Sequence, residues 1–72
     1  MSSQNYKSVI AKNIKRLRKE KGISQDRLSK LADLSLNTIV NIESGNSPNS
    51  TIETLEKIAK ALEVSIEKLL KS

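Results

Sequence analysis

The sequence contains no cysteine and no histidine among its 72 residues. Without cysteine there is no disulfide and no thiolate ligand for a metal. Without histidine, a zinc ion would have to be held by carboxylates alone, which is not how protein zinc sites are built. The two absences also remove the Ser-His, Cys-His and cysteine-nucleophile routes to catalysis. We therefore expect no metal, no cofactor and no enzymatic activity, and no motif indicates a small-molecule ligand.

Long apolar runs are also missing. No stretch approaches the roughly 20 apolar residues that a membrane-spanning helix needs. Residues 1–5 lack the apolar run of a secretory signal peptide. We expect a cytoplasmic protein that does not bind membranes. A chain of this length has room for one domain at most, so residues 1–72 are predicted to form a single domain.

Positive charge is present in excess and is unevenly distributed. The formal net charge is +5; residues 1–36 hold nine Lys or Arg and three Asp or Glu, whereas residues 37–72 hold four and five. This asymmetry favours an electropositive face and a polyanionic partner. Charge alone leaves open the alternative of a basic domain that is merely soluble.

Breakers and apolar spacing predict an all-α fold, a compact bundle of five short helices. Gly22, Gly45 and Pro48 are the strong breakers. Helices are expected at about 6–21, 25–32, 36–44, 52–62 and from 66 to the chain end. The expected N-caps are Ser24, Ser35, either Ser50 or Thr51, and Ser65. The positions expected to be buried are Tyr6, Ile10, Ile14, Leu17, Leu28, Leu31, Leu34, Ile39, Ile42, Ile52, Leu55, Ile58, Ala59 and Leu62.

The second and third predicted helices, over residues 25–44, are joined by a turn of about three residues. That is the geometry of a DNA-binding helix-turn-helix, whose second helix enters the major groove. Two such helices also occur as an ordinary core pair, so spacing alone leaves both interpretations open.

The exposed face expected for the third helix favours the first interpretation. Asparagine can pair with adenine through two hydrogen bonds, and leucine or valine can contact a thymine methyl group. Asn37 and Asn41 are poor helix formers, which mildly favours a role beyond folding. The alternative is that these side chains, with Leu36 and Val40, are ordinary surface residues.

Several short motifs recur at fixed spacings over residues 14–69. They are Ile14-Lys15-Arg16-Leu17-Arg18, Gly22-Ile23-Ser24-Gln25, Leu28, Leu34-Ser35, Thr38-Ile39, Ile42-Glu43-Ser44-Gly45, Thr54-Leu55 and Ile58-Ala59-Lys60-Ala61-Leu62-Glu63-Val64-Ser65. With this combination the chain resembles the Cro/repressor-type (XRE) helix-turn-helix family, which includes the lambdoid phage repressors. The resemblance implies a lambda-repressor-like fold and a sequence-specific regulator of transcription, expected to be a repressor, that binds double-stranded DNA.

The resemblance also implies roles for individual residues. The implied base-reading residues are Leu36, Asn37, Val40 and Asn41. The implied phosphate or groove-wall contacts are Ser24, Gln25, Ser35, Thr38, Ser44 and Asn46. Arg18 and Glu43 match an ion pair that orients the third helix; the alternative is a solvated pair of little energetic value.

The chain departs from the family pattern at three places. Ser29 replaces a usual alanine, and its hydroxyl can bond back within the helix. Asp33 replaces the usual turn glycine, and aspartate tolerates left-handed backbone better than most residues. The loop from Gly45 to Thr54 looks one residue longer than is typical of the family. It also lacks the Lys or Arg that many members have there. Phosphate neutralisation is therefore expected from two or three of Lys12, Lys15, Arg16, Lys19, Lys21, Arg27 and Lys30.

One recognition helix reads few base pairs, so a homodimer on a pseudo-palindromic operator is expected. Ile66, Leu69 and Leu70 are the expected dimer surface; the alternative is that they close the core of one chain. Two other functions stay open. The same fold serves as the antitoxin in some toxin–antitoxin pairs, although no extra segment for holding a toxin is visible. A protein-only adaptor would use Leu36 and Val40 to contact another protein.

Overall fold

A computed structural model describes residues 6–45 and 51–71. They form five α-helices, α1 (Tyr6–Glu20), α2 (Gln25–Ala32), α3 (Leu36–Ser44), α4 (Ile52–Leu62) and α5 (Ile66–Leu70). The described residues contain no β-strand, and the predicted all-α class is confirmed. None of these described helices combines the length and apolarity needed to cross a membrane.

Hydroxyl side chains cap the N-termini of three helices. The hydroxyl oxygens of Ser24, Ser35 and Thr51 each accept a hydrogen bond from a backbone N–H three residues later, at 3.0, 3.1 and 3.1 Å. Each bond satisfies an N–H group that the helix itself leaves unpaired. Thr51 is thus the N-cap of α4, whereas Ser50, the other candidate, lies outside the described residues. Ser65 precedes α5 without a side-chain capping bond.

Left-handed backbone follows the first four helices. It occurs at Gly22, Asp33, Gly45 and Glu63, with φ of 71°, 58°, 80° and 62°. Glycine adopts this conformation without steric cost, and the two glycines and Asp33 were expected at turns. Glu63 was not expected there. Its carboxylate lies 2.8 Å from the Lys21 ammonium, and this hydrogen bond and charge lower the pKa of Glu63.

The apolar stripes of all five helices meet in one core. Its members are Ile10, Ile14, Leu17, Leu28, Ala32, Ile39, Ile42, Leu55, Ile58, Ala59, Leu62 and Leu69. α1 packs against α3 and α5, and α2 packs against α3 and α4. Because α3 is held by α1 and by α2, its remaining face is directed outward.

The prediction that Leu31 and Ile52 are buried in the core is wrong. Leu31 is 47% exposed and Ile52 is 60% exposed. On α2 the buried face consists of Leu28, Ser29 and Ala32, so that Leu31 falls to one side and lines an open groove. Ile52 lies one turn before Leu55, the first buried residue of α4, at the edge of the core. The side chain of Tyr6, a third expected core residue, is outside the described part.

A buried polar side chain fixes the end of α5. The Asn13 amide nitrogen donates to the carbonyl oxygens of Leu69, at 2.7 Å, and Lys71, at 2.6 Å. Leu69 itself has no exposed surface and belongs to the core of the chain. The expectation that Leu69 lies on a dimer surface is therefore corrected. Ile66 packs partly against the same core, and Leu70 remains 44% exposed.

Replacing Ile39 with alanine is expected to destabilise the fold by about 2–5 kcal/mol, because the side chain is fully buried and its removal leaves a cavity. The free energy of unfolding from urea titration measures the loss. Val40→Ala, at an exposed neighbouring position of α3, is the control and should change stability by less than about 0.5 kcal/mol. Equal losses for the two variants would contradict the assignment of Ile39 to the core.

Candidate nucleic-acid interface

The outward face of α3 carries all four residues expected to read bases. Leu36 and Val40 are 43% and 40% exposed, and Asn37 and Asn41 are exposed beside them. Their spacing along α3 places them on adjoining parts of one helix surface. This surface offers amide donors and acceptors next to two apolar side chains that remain about two-fifths exposed.

The buried residues of α3 are Ile39, Ile42 and Glu43, and the last of these is a carboxylate. Glu43 has a side chain only 2% exposed, and it accepts hydrogen bonds from Arg18 Nε at 2.6 Å and Arg18 Nη2 at 3.0 Å. The third guanidinium nitrogen, Nη1, donates to the carbonyl oxygen of Ile23 at 2.9 Å. The ion pair expected between the first and third helices is thus present as a two-pronged contact, which fixes geometry more tightly than a single bond.

Gln25 joins this network from the start of α2. Its amide nitrogen donates to Glu43 Oε1 at 3.0 Å. An amide nitrogen has two hydrogens, so one remains for another acceptor, such as the phosphate contact expected of Gln25. The link from Gln25 to Glu43 was not anticipated. The only hint in the sequence was that both residues belong to motifs of the same family.

Other expected contact residues lie at helix ends. Ser24 and Ser35 are the exposed N-caps of α2 and α3, and the Ser35 and Thr38 hydroxyls are 2.8 Å apart. Helix N-termini carry partial positive charge, which favours anions. Ser44 lies at the other end of α3, where its hydroxyl donates to the Asn41 carbonyl at 2.8 Å. Asn46 lies outside the described residues.

Ser29 lies on the buried face of α2. It is buried, and its hydroxyl donates to the Asp26 carbonyl oxygen at 2.7 Å. The expectation of a hydrogen bond back within the helix is confirmed. A small hydroxyl therefore replaces the usual alanine without leaving a buried polar group unpaired.

Fold and surface together define a helix-turn-helix protein, and comparison with known proteins agrees. Residues 14–69 match the helix-turn-helix family HTH_3, and the chain belongs to this family. The resemblance inferred from the sequence is therefore confirmed over the same residues.

Named relatives are regulators. The chain is 37% identical over 62 residues to the HTH-type transcriptional regulator SinR of Bacillus subtilis (strain 168); the match covers 86% of this chain and 56% of SinR. The chain thus spans little more than half the length of that relative.

Solved structures show the same fold. A hypothetical transcription factor, NHTF, from Neisseria is 28% identical with a TM-score of 0.90, over 99% of this chain and 80% of that one. The restriction-modification controller protein C.AhdI from Aeromonas hydrophila is 27% identical with a TM-score of 0.83, over 88% of this chain and 94% of its own.

Substituting Arg18 with methionine is expected to destabilise the protein by about 3–5 kcal/mol, because it leaves the Glu43 carboxylate buried without a counter-charge. Arg16→Met is the matched control on the same helix. Arg16 pairs with Glu20 at an exposed position, so that loss should stay below about 1 kcal/mol. Unfolding in urea at neutral pH measures both, and similar small losses would refute a structural role for the buried pair.

Proposed function

We propose that this protein is a sequence-specific regulator of transcription that binds double-stranded DNA with α3 in the major groove. The observation that carries the proposal is the division of α3 into two faces. One presents Asn37 and Asn41 to solvent, and the other is held by Arg18 and Gln25 through Glu43. A helix that reads bases needs both a polar reading surface and a fixed orientation.

The chemistry of the reading face suits A·T-rich positions. Asn37 and Asn41 can each pair with adenine N6 and N7, while Leu36 and Val40 can contact thymine methyl groups. Contacts to backbone phosphates fix the position of the protein on the duplex and carry no sequence information directly. We assign them to Ser24, Gln25, Ser35, Thr38 and Ser44, and to Asn46 from the family pattern.

Binding as a homodimer to a pseudo-palindromic operator is part of the proposal, because one helix reads only a few base pairs. Leu70 and the exposed part of Ile66 are the surface assigned to the dimer contact. Repression is proposed as the outcome, since occupancy of an operator that overlaps a promoter is sufficient to block it.

One observation favours a second candidate, a protein-only adaptor built on the same fold that has lost DNA binding. Leu36 and Val40 are apolar and exposed on the same face, and a protein contact would bury them. In that case the affinity for DNA would be weak and nearly independent of salt concentration.

Asn37→Ala and Asn41→Ala are each expected to weaken binding to the cognate site by about 1–3 kcal/mol, because each removes a paired contact to a base. Both side chains are exposed, so the melting temperature should stay near that of the wild type. Fluorescence anisotropy on the cognate duplex and on a scrambled duplex separates the two effects. Equal loss on both duplexes would show that these residues do not read sequence.

Selection from a randomised duplex pool, with binding repeated at several salt concentrations, tests the function itself. We expect enrichment of a two-fold-symmetric site and affinity that falls steeply as salt rises. Absence of enrichment, together with weak binding that does not respond to salt, would instead support the protein-binding module.

A further inference from the structure

The basic side chains between residues 12 and 30 fall into two groups. Four are paired with carboxylates of the chain: Arg16 with Glu20, Arg18 with Glu43, Lys21 with Glu63 and Lys30 with Asp26. The others make no side-chain ion pair or hydrogen bond within the described part of the chain: Lys12, Lys15, Lys19 and Arg27. Most of this unpaired charge is on α1.

Three of the unpaired cations form a row along α1. Lys12, Lys15 and Lys19 are exposed, and their spacing of three and four residues places them on one face of the helix. At 1.5 Å per residue the row is about 10 Å long. Glu20, the carboxylate at the end of α1, is already bound to Arg16 at 3.3 Å. The row, here called the α1 basic face, therefore has no counter-charge of its own.

Lysines elsewhere on the protein are in a different setting. On α4, Lys57 and Lys60 each lie four residues after a glutamate, Glu53 and Glu56. The charges of that segment cancel locally, so its field falls off quickly. The excess positive charge of the protein is thus concentrated on α1 rather than spread over all helices.

The α1 basic face begins beside the end of the recognition helix. Lys12 lines a cleft of about 340 Å³ together with Ser44 and Gly45, at the C-terminal end of α3. The major groove is about 12 Å wide and a helix with its side chains is about 10–12 Å across. When α3 fills the groove, the sugar-phosphate walls must therefore lie directly beside it.

We propose that the α1 basic face binds backbone phosphates that border the groove occupied by α3. The proposal rests on the proposed function and assigns a further DNA-contact surface to it. The row of about 10 Å is long enough for its three ammonium groups to contact neighbouring phosphates of one strand. The face adds affinity that is independent of sequence, while α3 alone selects the site.

Two pairs of substitutions with the same spacing and the same change in net charge test this surface. Lys12→Gln with Lys15→Gln removes charge from the α1 basic face; Lys57→Gln with Lys60→Gln is the control on α4. Because each phosphate contact contributes about 0.9 to the slope of log affinity against log salt, and a dimer carries each substitution twice, the α1 pair should flatten the slope by nearly 2 per protomer, or nearly 4 for the dimer. The control pair should change it by less than about 0.5.

The α1 pair should also weaken binding to cognate and scrambled duplexes by the same factor, so that their ratio is unchanged. Lys19→Gln alone should flatten the slope by about 0.9 per protomer. Equal slopes for the α1 pair, the control pair and the wild type would overturn the inference, as would equal flattening by both pairs. A wild type that selects no site would instead overturn the proposed function, which keeps the two failures distinguishable.

Discussion

Burial of the Glu43 carboxylate constrains the whole arrangement of the first three helices. An ionised carboxylate removed from water must be compensated by donors that are already in position. Here three hydrogen bonds reach it, two from Arg18 on α1 and one from Gln25 on α2. Since Arg18 also holds the Ile23 carbonyl, a shift of any of these elements would break a contact of the same group. The orientation of α3 is therefore fixed through a buried carboxylate on its inward side.

The residues that orient α3 therefore differ from those proposed to read bases. Ile39, Ile42 and Glu43 place α3 against the rest of the protein, whereas Asn37 and Asn41 are exposed. Substitutions at these exposed positions should therefore cost little stability. In the proposed function, different sides of the same nine-residue helix carry specificity and folding.

Much of the fold was predictable because capping and apolar spacing are local properties. The starts of α2 and α3 follow directly from Ser24 and Ser35, and Gly45 ends α3 as its position suggests. Leu31 and Ile52 were misjudged because periodicity gives the direction of a stripe but not how far the core extends. The bonds from Asn13 to the end of α5, and from Gln25 to Glu43, join residues far apart in sequence, so no local pattern reports them. The exposed face of α3 was predictable; its partners on the DNA depend on a complex that the sequence does not describe.

The Asn13 side chain links α1, the first described helix, to the end of α5, the last one. The bond to the Leu69 carbonyl spans 56 positions of the chain. Bringing such distant segments together costs loop-closure entropy, which grows slowly with loop length. This cost is incurred before the contact between the segments can stabilise the fold. α5 has only five residues and lacks a side-chain bond at its start, so little local structure forms it beforehand. We expect α5 to dock last during folding and to open first under native conditions, briefly uncovering Leu69 while α1, α2 and α3 stay assembled.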